Sequence, residues 1–343
     1  MDADMQNYQG NGSTKIQQIL SSYIYTEMIY VAIELRLPDI LDDVPRKAAS
    51  LAEIVDVEPQ AFNRFLQGLV MIGLIAEDDE QYTLTEVGKS LRTRESGSIR
   101  DLALFHREVG IPTWRELLYS IKTGKPSFEH VFGRSFFDYL EEHRLVGRTF
   151  NLSMNESTAI IADAISAEYD FTGIKIIADI GGGQGGLIGS LLKSHPSIEA
   201  ILFESALAAS DAEEYLRSIG VADRCVVMVG DFFDRVPGGY DVYLLSHVLH
   251  DWSDDSALRI LRNIRNAIPS HGKLLLVEAL VQDSGDQSSF VIKRDLSMLV
   301  LTGGRERTEK EYNRLLNDAR FSPRKSIPIQ PGRIMIEAFP IGD

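Results

Sequence analysis

One histidine and two glutamates are the residues best suited to chemistry in this 343-residue chain. His250 follows the apolar run 242–245, Glu278 ends a later apolar run, and Glu306 lies in the charged segment 303–309. An imidazole, with an ordinary pKa of about 6.5, can accept a proton near neutral pH. Either glutamate could hold one ring nitrogen and leave the other facing a substrate. The pattern predicts a general base, although spacing alone favours reading Glu306 as one of several charges at the start of a helix.

A glycine-rich loop occupies residues 178–186, between an apolar run and a helical stretch. Glycines let the backbone turn sharply and approach a ligand at the positive end of a helix. Asp179 opens the loop, and Gly181, Gly183 and Gly186 have the spacing of a dinucleotide-binding fingerprint. The loop alone therefore does not separate a nicotinamide enzyme from an enzyme that uses a methyl donor.

Acidic and aromatic residues follow the next two apolar runs. Glu204 could accept hydrogen bonds from two ribose hydroxyls, while Asp231 and Phe232 could bind the amino group and the ring of adenine. Core packing is an equally good interpretation of Phe232. Because open parallel sheets bind ligands at the carboxyl ends of their strands, we expect these residues to meet at one edge.

The elements that would position these side chains are short apolar runs that alternate with helical stretches. This alternation predicts an α/β fold with a doubly wound parallel sheet. The five runs are residues 174–180, 201–203, 225–229, 242–245 and 274–277. Two later runs, 325–329 and 333–339, are joined by a short turn. They predict an antiparallel hairpin at one edge of the sheet.

Residues 1–100 predict a separate, mainly helical winged-helix domain. Apolar spacing indicates a helix over residues 14–37 that Pro38 should end, because proline has no amide hydrogen. Ser50 should cap a second helix, and Glu58 with the following proline should open a third. Two short runs that form the wing follow.

Residues 101–343 form the second predicted domain. Its first part, residues 101–170, is helical and rich in aromatic side chains, among them Trp114. Most of these side chains should belong to the core, and some could line a pocket for an acceptor. The remaining histidines are scattered, so we expect no metal site.

Charge narrows the range of partners. The chain has a net charge of −15, and residues 1–100 contain nine Lys/Arg against sixteen Asp/Glu. Binding to nucleic acid requires the opposite sign, so the apolar stripes of this domain favour dimerisation over DNA binding. No apolar run is long enough to span a bilayer, and no signal sequence opens the chain. We therefore expect a cytoplasmic protein without membrane or nucleic-acid partners.

Taken in order, these segments resemble the plant and bacterial small-molecule O-methyltransferases that carry an N-terminal winged-helix dimerisation domain. The resemblance extends from about residue 15 to the C-terminus. It rests on the loop 179–186, on His250-Asp251-Trp252, and on residues 303–308 after the run 295–299. Phe150, Asn151 and Met154 match a further pattern of the family.

The resemblance implies a Rossmann-like domain that binds S-adenosyl-L-methionine and methylates a hydroxyl, phenolic in character, on a small aromatic or polyketide-like secondary metabolite. It implies His250 as the base with two flanking glutamates, and homodimers whose N-terminal domains help to close the partner's pocket. The implied catalytic residues are His250, Glu278 and Glu306; the donor residues are Asp179, Gly181, Gly183, Glu204, Asp231, Phe232 and Ser246; the acceptor residues are Trp114, Phe150, Met154 and Asp251. Ser246 stands where the plant enzymes often have lysine, which favours a bacterial branch.

Three alternatives remain at this stage. A nicotinamide-dependent oxidoreductase shares the glycine loop, and a ligand-responsive winged-helix regulator shares the N-terminal pattern. A family member could also keep the methyl donor and catalyse hydroxylation, decarboxylation or a pericyclic step. Retention of His250 with both glutamates favours methyl transfer.

Overall fold

The computed structural model describes residues 12–41, 44–93, 98–282 and 288–342. These residues divide into two compact units, 1–107 and 108–343, a boundary slightly after the one predicted at residue 100. Within the described residues, no helix combines the length and the apolar character needed to cross a membrane.

The first unit has a winged-helix arrangement. Its elements are α1 (Gly12–Ser21), α2 (Tyr23–Glu34), α3 (Leu37–Ile40), β1 (Arg46–Lys47), α4 (Ala48–Val55), α5 (Pro59–Met71), β2 (Ile75–Asp78), β3 (Gln81–Leu84), α6 (Glu86–Lys89) and α7 (Arg100–Phe105). The three strands form an antiparallel sheet in the order β1-β3-β2. Leu41, Leu51 and Leu66 are fully buried between these elements and form the core of the unit.

Two helix ends differ from the sequence prediction. The single helix predicted over residues 14–37 is two helices, α1 and α2, separated at Ser22. The second ends at Glu34, shortly before Arg36 takes a left-handed conformation (φ 55°), and Pro38 lies inside the next short helix rather than ending the first. Proline fits there because the first turn of a helix needs no amide donor. The next helix begins at Ala48, so Ser50 lies within its first turn and does not cap it. The prediction for Glu58 is confirmed, since its carboxylate accepts hydrogen bonds from the first turn of α5.

The second unit contains a layer of helices followed by the predicted α/β sheet. After a π-helical turn (His106–Gly110) come α8 (Ile111–Arg115), α9 (Leu117–Thr123), α10 (Ser127–Phe132), α11 (Phe136–Glu142) and α12 (Arg144–Glu168). The sheet region comprises β4 (Ile176–Ile180), α13 (Gly186–Ser194), β5 (Glu199–Glu204), α14 (Ala206–Ser218), β6 (Cys225–Val229), β7 (Val242–Ser246), α15 (Asp254–Ala267), β8 (Lys273–Ala279), α16 (Ser289–Leu301), α17 (Glu309–Asp318), β9 (Phe321–Gln330) and β10 (Arg333–Pro340).

The seven strands lie in the order β6-β5-β4-β7-β8-β10-β9. The first five are parallel, and β10 and β9 add an antiparallel hairpin at one edge, which confirms the predicted fold class. Apolar cores cover both faces of the sheet. Chain order reverses between β4 and β7, where ligands bind in sheets of this kind. Because β10 is antiparallel to β8, its first residues lie at the same edge as the carboxyl ends of the parallel strands.

Candidate active site

The glycine loop after β4 is shaped by left-handed backbone conformations. Gly181 and Gly183 have φ angles of 72° and 59°, which side chains other than glycine rarely tolerate. A Cβ atom on Gly182 would lie 2.2 Å from Oδ2 of Asp179. Glycine at this position lets the loop close around that carboxyl group.

Asp179 is a buried carboxyl group for which the described residues supply no counter-ion. It is fully buried at the end of β4, and neither carboxylate oxygen has a hydrogen-bond partner among the described residues. Burial, reinforced by the nearby charge of Glu204, raises its pKa to about 7. An unpaired buried carboxylate is costly, so a cationic ligand group would stabilise it. This cradle fits the ammonium group of a bound S-adenosylmethionine.

The other predicted donor residues surround the same loop. The amide of Gly183 donates to Oε1 of Glu204 at 3.2 Å, which ties the end of β5 to the loop. Burial raises the pKa of Glu204, and this effect outweighs the hydrogen bonds from Ser205 and Gly183, which lower it. The ring of Phe232 lies 3.5 Å from the Cβ position of Gly181.

Two donor predictions rest on weaker geometry. Asp231, after β6, accepts a hydrogen bond from the amide of Phe233 at 2.7 Å. One of its two carboxylate oxygens is therefore already used within the turn that follows the strand. Ser246 ends β7, and its hydroxyl lies 3.4 Å from Nδ1 of His247. Both residues lie at the carboxyl edge of the sheet, as predicted.

His250 lies on a 3-10 turn (Leu249–Asp251) directly after β7 and is buried. Its Nδ1 is 3.0 Å from Oε1 of Glu306 and 3.3 Å from Oε2 of Glu278. The structure therefore brings both predicted glutamates to the same ring nitrogen, with the hydrogen bond formed to Glu306. Because an ionised carboxylate only accepts, Nδ1 carries a proton, and in the neutral imidazole Nε2 then keeps the lone pair. Nε2 is 3.8 Å from Oδ2 of Asp251.

Burial and charge act against each other on these groups. Burial alone would lower the pKa of His250, but the charges of Glu278 and Asp251 and the hydrogen bond to Glu306 outweigh it and raise the pKa. Burial raises the pKa of Glu278 to about 7 and that of Asp251 to about 6. Burial would also raise the pKa of Glu306, but hydrogen bonds from His250 and from Arg294 lower it. Glu306 is therefore the more firmly ionised partner of the imidazole.

The turn that carries His250 is held from both sides. Oε1 of Glu278 accepts hydrogen bonds from the amides of Val248 (3.2 Å) and Leu249 (2.8 Å). The guanidinium of Arg307, which is fully buried, donates to the carbonyls of Leu249 (2.8 Å) and Trp252 (2.7 Å). These contacts fix the peptide groups on either side of the imidazole.

Sequence reasoning missed two residues beside the imidazole. Arg294, on α16, donates from Nε to Oε1 of Glu306 at 2.8 Å, and its Nη2 lies 3.3 and 3.4 Å from the two ring nitrogens of His250. His247 takes a left-handed conformation (φ 56°), and its buried Nε2 has no partner among the described residues. The position of Arg294, directly before the run 295–299, was the one available signal.

A metal ion is a further possibility at this cluster. His250, Glu278 and Glu306 each offer one ligand atom, and these atoms lie within 4.8 Å of one another. The sequence predicts no metal, and this prediction is open to a direct test by chelation. Arg294 already supplies a positive charge to Glu306.

The predicted acceptor residues other than Asp251 lie on the helical layer. Phe150 packs edge-on against Phe136 at 5.2 Å, within an aromatic cluster, and Met154 is partly exposed on the same helix, α12. Trp114 is half-buried on α8, a helix that packs against α16. In the described part of the chain, none of the three makes a hydrogen bond, ion pair or ring contact with His250. Their role in acceptor binding stays a prediction.

Two family models match this chain, one in each part of it. Residues 114–322 match the model of an O-methyltransferase domain, and residues 17–94 match that of an O-methyltransferase dimerisation domain. The O-demethylpuromycin-O-methyltransferase of Streptomyces alboniger is 39% identical over 337 residues, which cover 95% of this chain and 89% of the relative.

Solved structures agree with this assignment. The crystal structure of LaPhzM has a TM-score of 0.92 and 36% identity, and covers 97% of this chain and 100% of its own. An O-methyltransferase from neocarzinostatin biosynthesis, solved with S-adenosylmethionine and 2-hydroxy-5-methyl naphthoic acid, has a TM-score of 0.78 and 32% identity, and covers 92% and 96% of the two chains. The chain therefore belongs to the O-methyltransferase family and is an S-adenosylmethionine-dependent O-methyltransferase with an N-terminal dimerisation domain.

Proposed function

We propose that this enzyme methylates a hydroxyl group, phenolic in character, on a small aromatic or polyketide-like secondary metabolite, with His250 as the general base. The observation that carries the proposal is the hydrogen bond of Nδ1 to Glu306, with Glu278 at 3.3 Å, on a turn at the carboxyl edge of the sheet. With Nδ1 engaged by the glutamates, Nε2 is the ring nitrogen that would take the proton of an acceptor, and its polar neighbours among the described residues are Nη2 of Arg294 at 3.4 Å and Oδ2 of Asp251 at 3.8 Å.

A base is needed because a phenol, with a pKa of about 10, is mostly protonated at neutral pH and is then a poor nucleophile. Nε2 of His250 takes the hydroxyl proton, and the imidazolium that forms is stabilised by Glu306 and Glu278. Such a base contributes a rate factor of about 10²–10⁴. The raised pKa of His250 increases its strength as a base.

The donor is assigned to the loop after β4. Asp179 would pair with its ammonium group, Gly181 and Gly183 would let the backbone approach its methionine part, and Glu204 would bind the ribose. Asp231 and Phe232 would hold the adenine, and Ser246 would border the donor at the end of β7. Bound there, S-adenosylmethionine supplies an electrophilic methyl group on a sulfonium.

The acceptor is assigned to the space beyond His250, bordered by Trp114, Phe150, Met154 and Asp251. Alignment of the acceptor oxygen with the transferable methyl group could contribute on the order of 7–11 kcal/mol. The enzyme would act in the cytoplasm as a homodimer without nucleic-acid partners. Large apolar side chains of the N-terminal helices α1 and α2, including Leu20 and Tyr23, are more than half exposed in the single chain, as expected of a surface that a partner covers.

The test is His250→Ala, assayed for release of S-adenosylhomocysteine with a panel of phenolic acceptors. Turnover should fall at least roughly tenfold, while donor affinity, measured by calorimetry, stays nearly unchanged. His271→Ala is the matched control, because His271 is 70% exposed and lies at the opposite edge of the sheet, before β8. Unchanged turnover in His250→Ala would remove His250 from the mechanism.

The second candidate is a family member that binds the donor and catalyses a different reaction. Mass spectrometry of the product decides between them, since methyl transfer adds one methyl group per molecule of S-adenosylhomocysteine released. Retention of the full set of His250, Glu278 and Glu306 favours methyl transfer.

A further inference from the structure

The histidine and the two glutamates around it also have the donor atoms of a small metal site. Nδ1 of His250 lies 3.0 Å from Oε1 of Glu306 and 3.3 Å from Oε2 of Glu278, and one ligand atom from each residue lies within 4.8 Å of the others. Zinc binds imidazole nitrogen and carboxylate oxygen at about 2.0–2.2 Å, so neighbouring ligands of a tetrahedral ion are roughly 3.4 Å apart. The two distances at Nδ1 are close to that separation.

Two buried carboxylate oxygens of this cluster have no hydrogen-bond donor. Oε2 of Glu278 and Oε2 of Glu306 lack a partner among the described residues, although Glu278 is fully buried and Glu306 is only 3% exposed. Oε2 of Glu278 is also the oxygen that faces Nδ1 of His250. Buried acceptors without donors are costly, and a cation bound between them would offset that cost. One imidazole with two carboxylates is a ligand set that suits zinc.

Arg294 is the cation already present here, and it forms an ion pair with only one of the two glutamates. Its Nε donates to Oε1 of Glu306 at 2.8 Å, and its Nη2 lies 3.3 Å from Nδ1 of His250. No lysine or arginine in the described ranges forms an ion pair with Glu278. The side chain of Arg294 is 21% exposed and has a route toward solvent, whereas that of Glu278 is 1% exposed. A divalent ion would compete with the guanidinium and balance the charges of both glutamates.

We propose that His250, Glu278 and Glu306 form an inhibitory binding site for a divalent cation of the zinc type, which displaces Arg294. The single proton of the neutral imidazole moves from Nδ1 to Nε2, and Nδ1 gives its lone pair to the ion. A protonated Nε2 is a donor and has no lone pair left for the hydroxyl proton of an acceptor. The ion is bound without oxidation or reduction. The inhibition rests on the proposed function, because it follows only if His250 is the base; the binding does not.

The experiment uses full-length enzyme freed of metal by dialysis against EDTA, with zinc chloride as the probe. Competition with a chromophoric chelator should show a single tightly bound zinc ion per chain, and turnover should fall as that site fills. Magnesium chloride at the same concentration should leave turnover unchanged, because magnesium requires near-octahedral coordination by oxygen. Glu306→Gln should weaken zinc binding at least about tenfold. Arg294→Gln should strengthen it at least about threefold, because a like charge leaves the site.

His271→Ala is the matched control for binding at the protein surface. Nε2 of His271 lies 3.7 Å from a carboxylate oxygen of Asp241, and His271 is 70% exposed, so this pair offers zinc a site far from the base. The variant should keep both the affinity for zinc and the inhibition. Calorimetry with S-adenosylhomocysteine, whose affinity should stay nearly unchanged, reports that each variant is folded.

Each outcome decides the question. Zinc binding that is absent, that Glu306→Gln leaves unchanged, or that His271→Ala removes would overturn the proposal. If Glu306→Gln fails to fold, Arg294→Gln decides alone, because equal or weaker zinc binding in that variant contradicts competition with the guanidinium. Zinc that binds as expected without slowing turnover would support the site and contradict His250 as the base. Loss of turnover in His250→Ala, in an enzyme that binds no zinc, would overturn this inference and leave the proposed function intact.

Discussion

The buried carboxyl group of Asp179 makes the stability of the donor-free enzyme depend on pH. Asp179 is fully buried with neither oxygen paired among the described residues, and its pKa rises from 3.8 to about 7. The folded state therefore keeps a proton that the unfolded chain releases above about pH 4. This contribution to stability is complete below the unfolded pKa and is lost as pH rises through the folded pKa. The Asp179→Asn variant has no carboxyl group to ionise at this position and should not lose this stability.

The magnitude follows from the shift. One pKa unit corresponds to about 1.4 kcal/mol, so a shift of roughly three units gives up to about 4 kcal/mol. The free energy of unfolding of Asp179→Asn, relative to that of the unaltered enzyme, should increase by up to this amount between about pH 4 and about pH 8. Most of the change should occur between pH values of about 4 and 7, the interval between the unfolded and folded pKa values.

Urea unfolding across this pH range measures the difference, with Asp223→Asn, an exposed carboxyl group on a surface turn, as control. Saturating S-adenosylmethionine should reduce the difference in free energy of unfolding between the variant and the unaltered enzyme, because its ammonium group would pair with the ionised carboxylate of Asp179. The variant should bind the donor at least about tenfold more weakly, the typical loss for a hydrogen bond to a charged group. Parallel stability curves for the two proteins would refute the buried, raised-pKa assignment. Unchanged donor affinity would refute the assignment to the donor.

Three further predictions concern the imidazole and its support. Glu306→Gln should move the acid limb of the rate profile to lower pH, because the imidazolium of His250 loses an anionic partner and its pKa falls; a shift to higher pH would contradict this. Arg307→Met should reduce the free energy of unfolding by at least about 1–3 kcal/mol in urea titrations, since it leaves the carbonyls of Leu249 and Trp252 without their donor, while Asp254 keeps its ion pairs with Arg305 and Arg314. A loss below about 1 kcal/mol would argue against that support. Dialysis against EDTA should leave turnover unchanged, whereas loss of activity restored by a divalent cation would identify His250, Glu278 and Glu306 as metal ligands.

The five parallel strands were predictable because each contains a run of at least three consecutive apolar residues. The predicted run 225–229 coincides with β6, and the run 242–245 is one residue shorter than β7. His250 and Glu278 were predictable for a related reason, since the ends of neighbouring parallel strands share one edge.

The remaining contacts depend on tertiary packing. Arg294 reaches His250 from a helix 44 residues further along the chain, and helix periodicity does not indicate which exposed or half-buried arginine folds over a particular ring. Arg307 donates across 58 residues to a carbonyl of the catalytic turn. Helix ends in the first unit were mispredicted because a left-handed residue, Arg36, ends α2 before Pro38 is reached.

The turn that carries His250 is anchored by residues other than those predicted to bind the acceptor, so support of the base and selection of the acceptor depend on different parts of one domain. Its anchors, Glu278 and Arg307, come from the end of β8 and from the loop before α17, whereas the aromatic layer of α8 to α12 takes no part in the hydrogen bonds described for them. Phe137 of that layer is the exception, because its ring stacks on Trp252 at 5.5 Å. The effects on stability of substitutions elsewhere in the layer should therefore add to those of changes at the two anchors, because distant sites without shared partners are independent. Redesign for new acceptors can begin in those helices and leave the proton-transfer apparatus as it is.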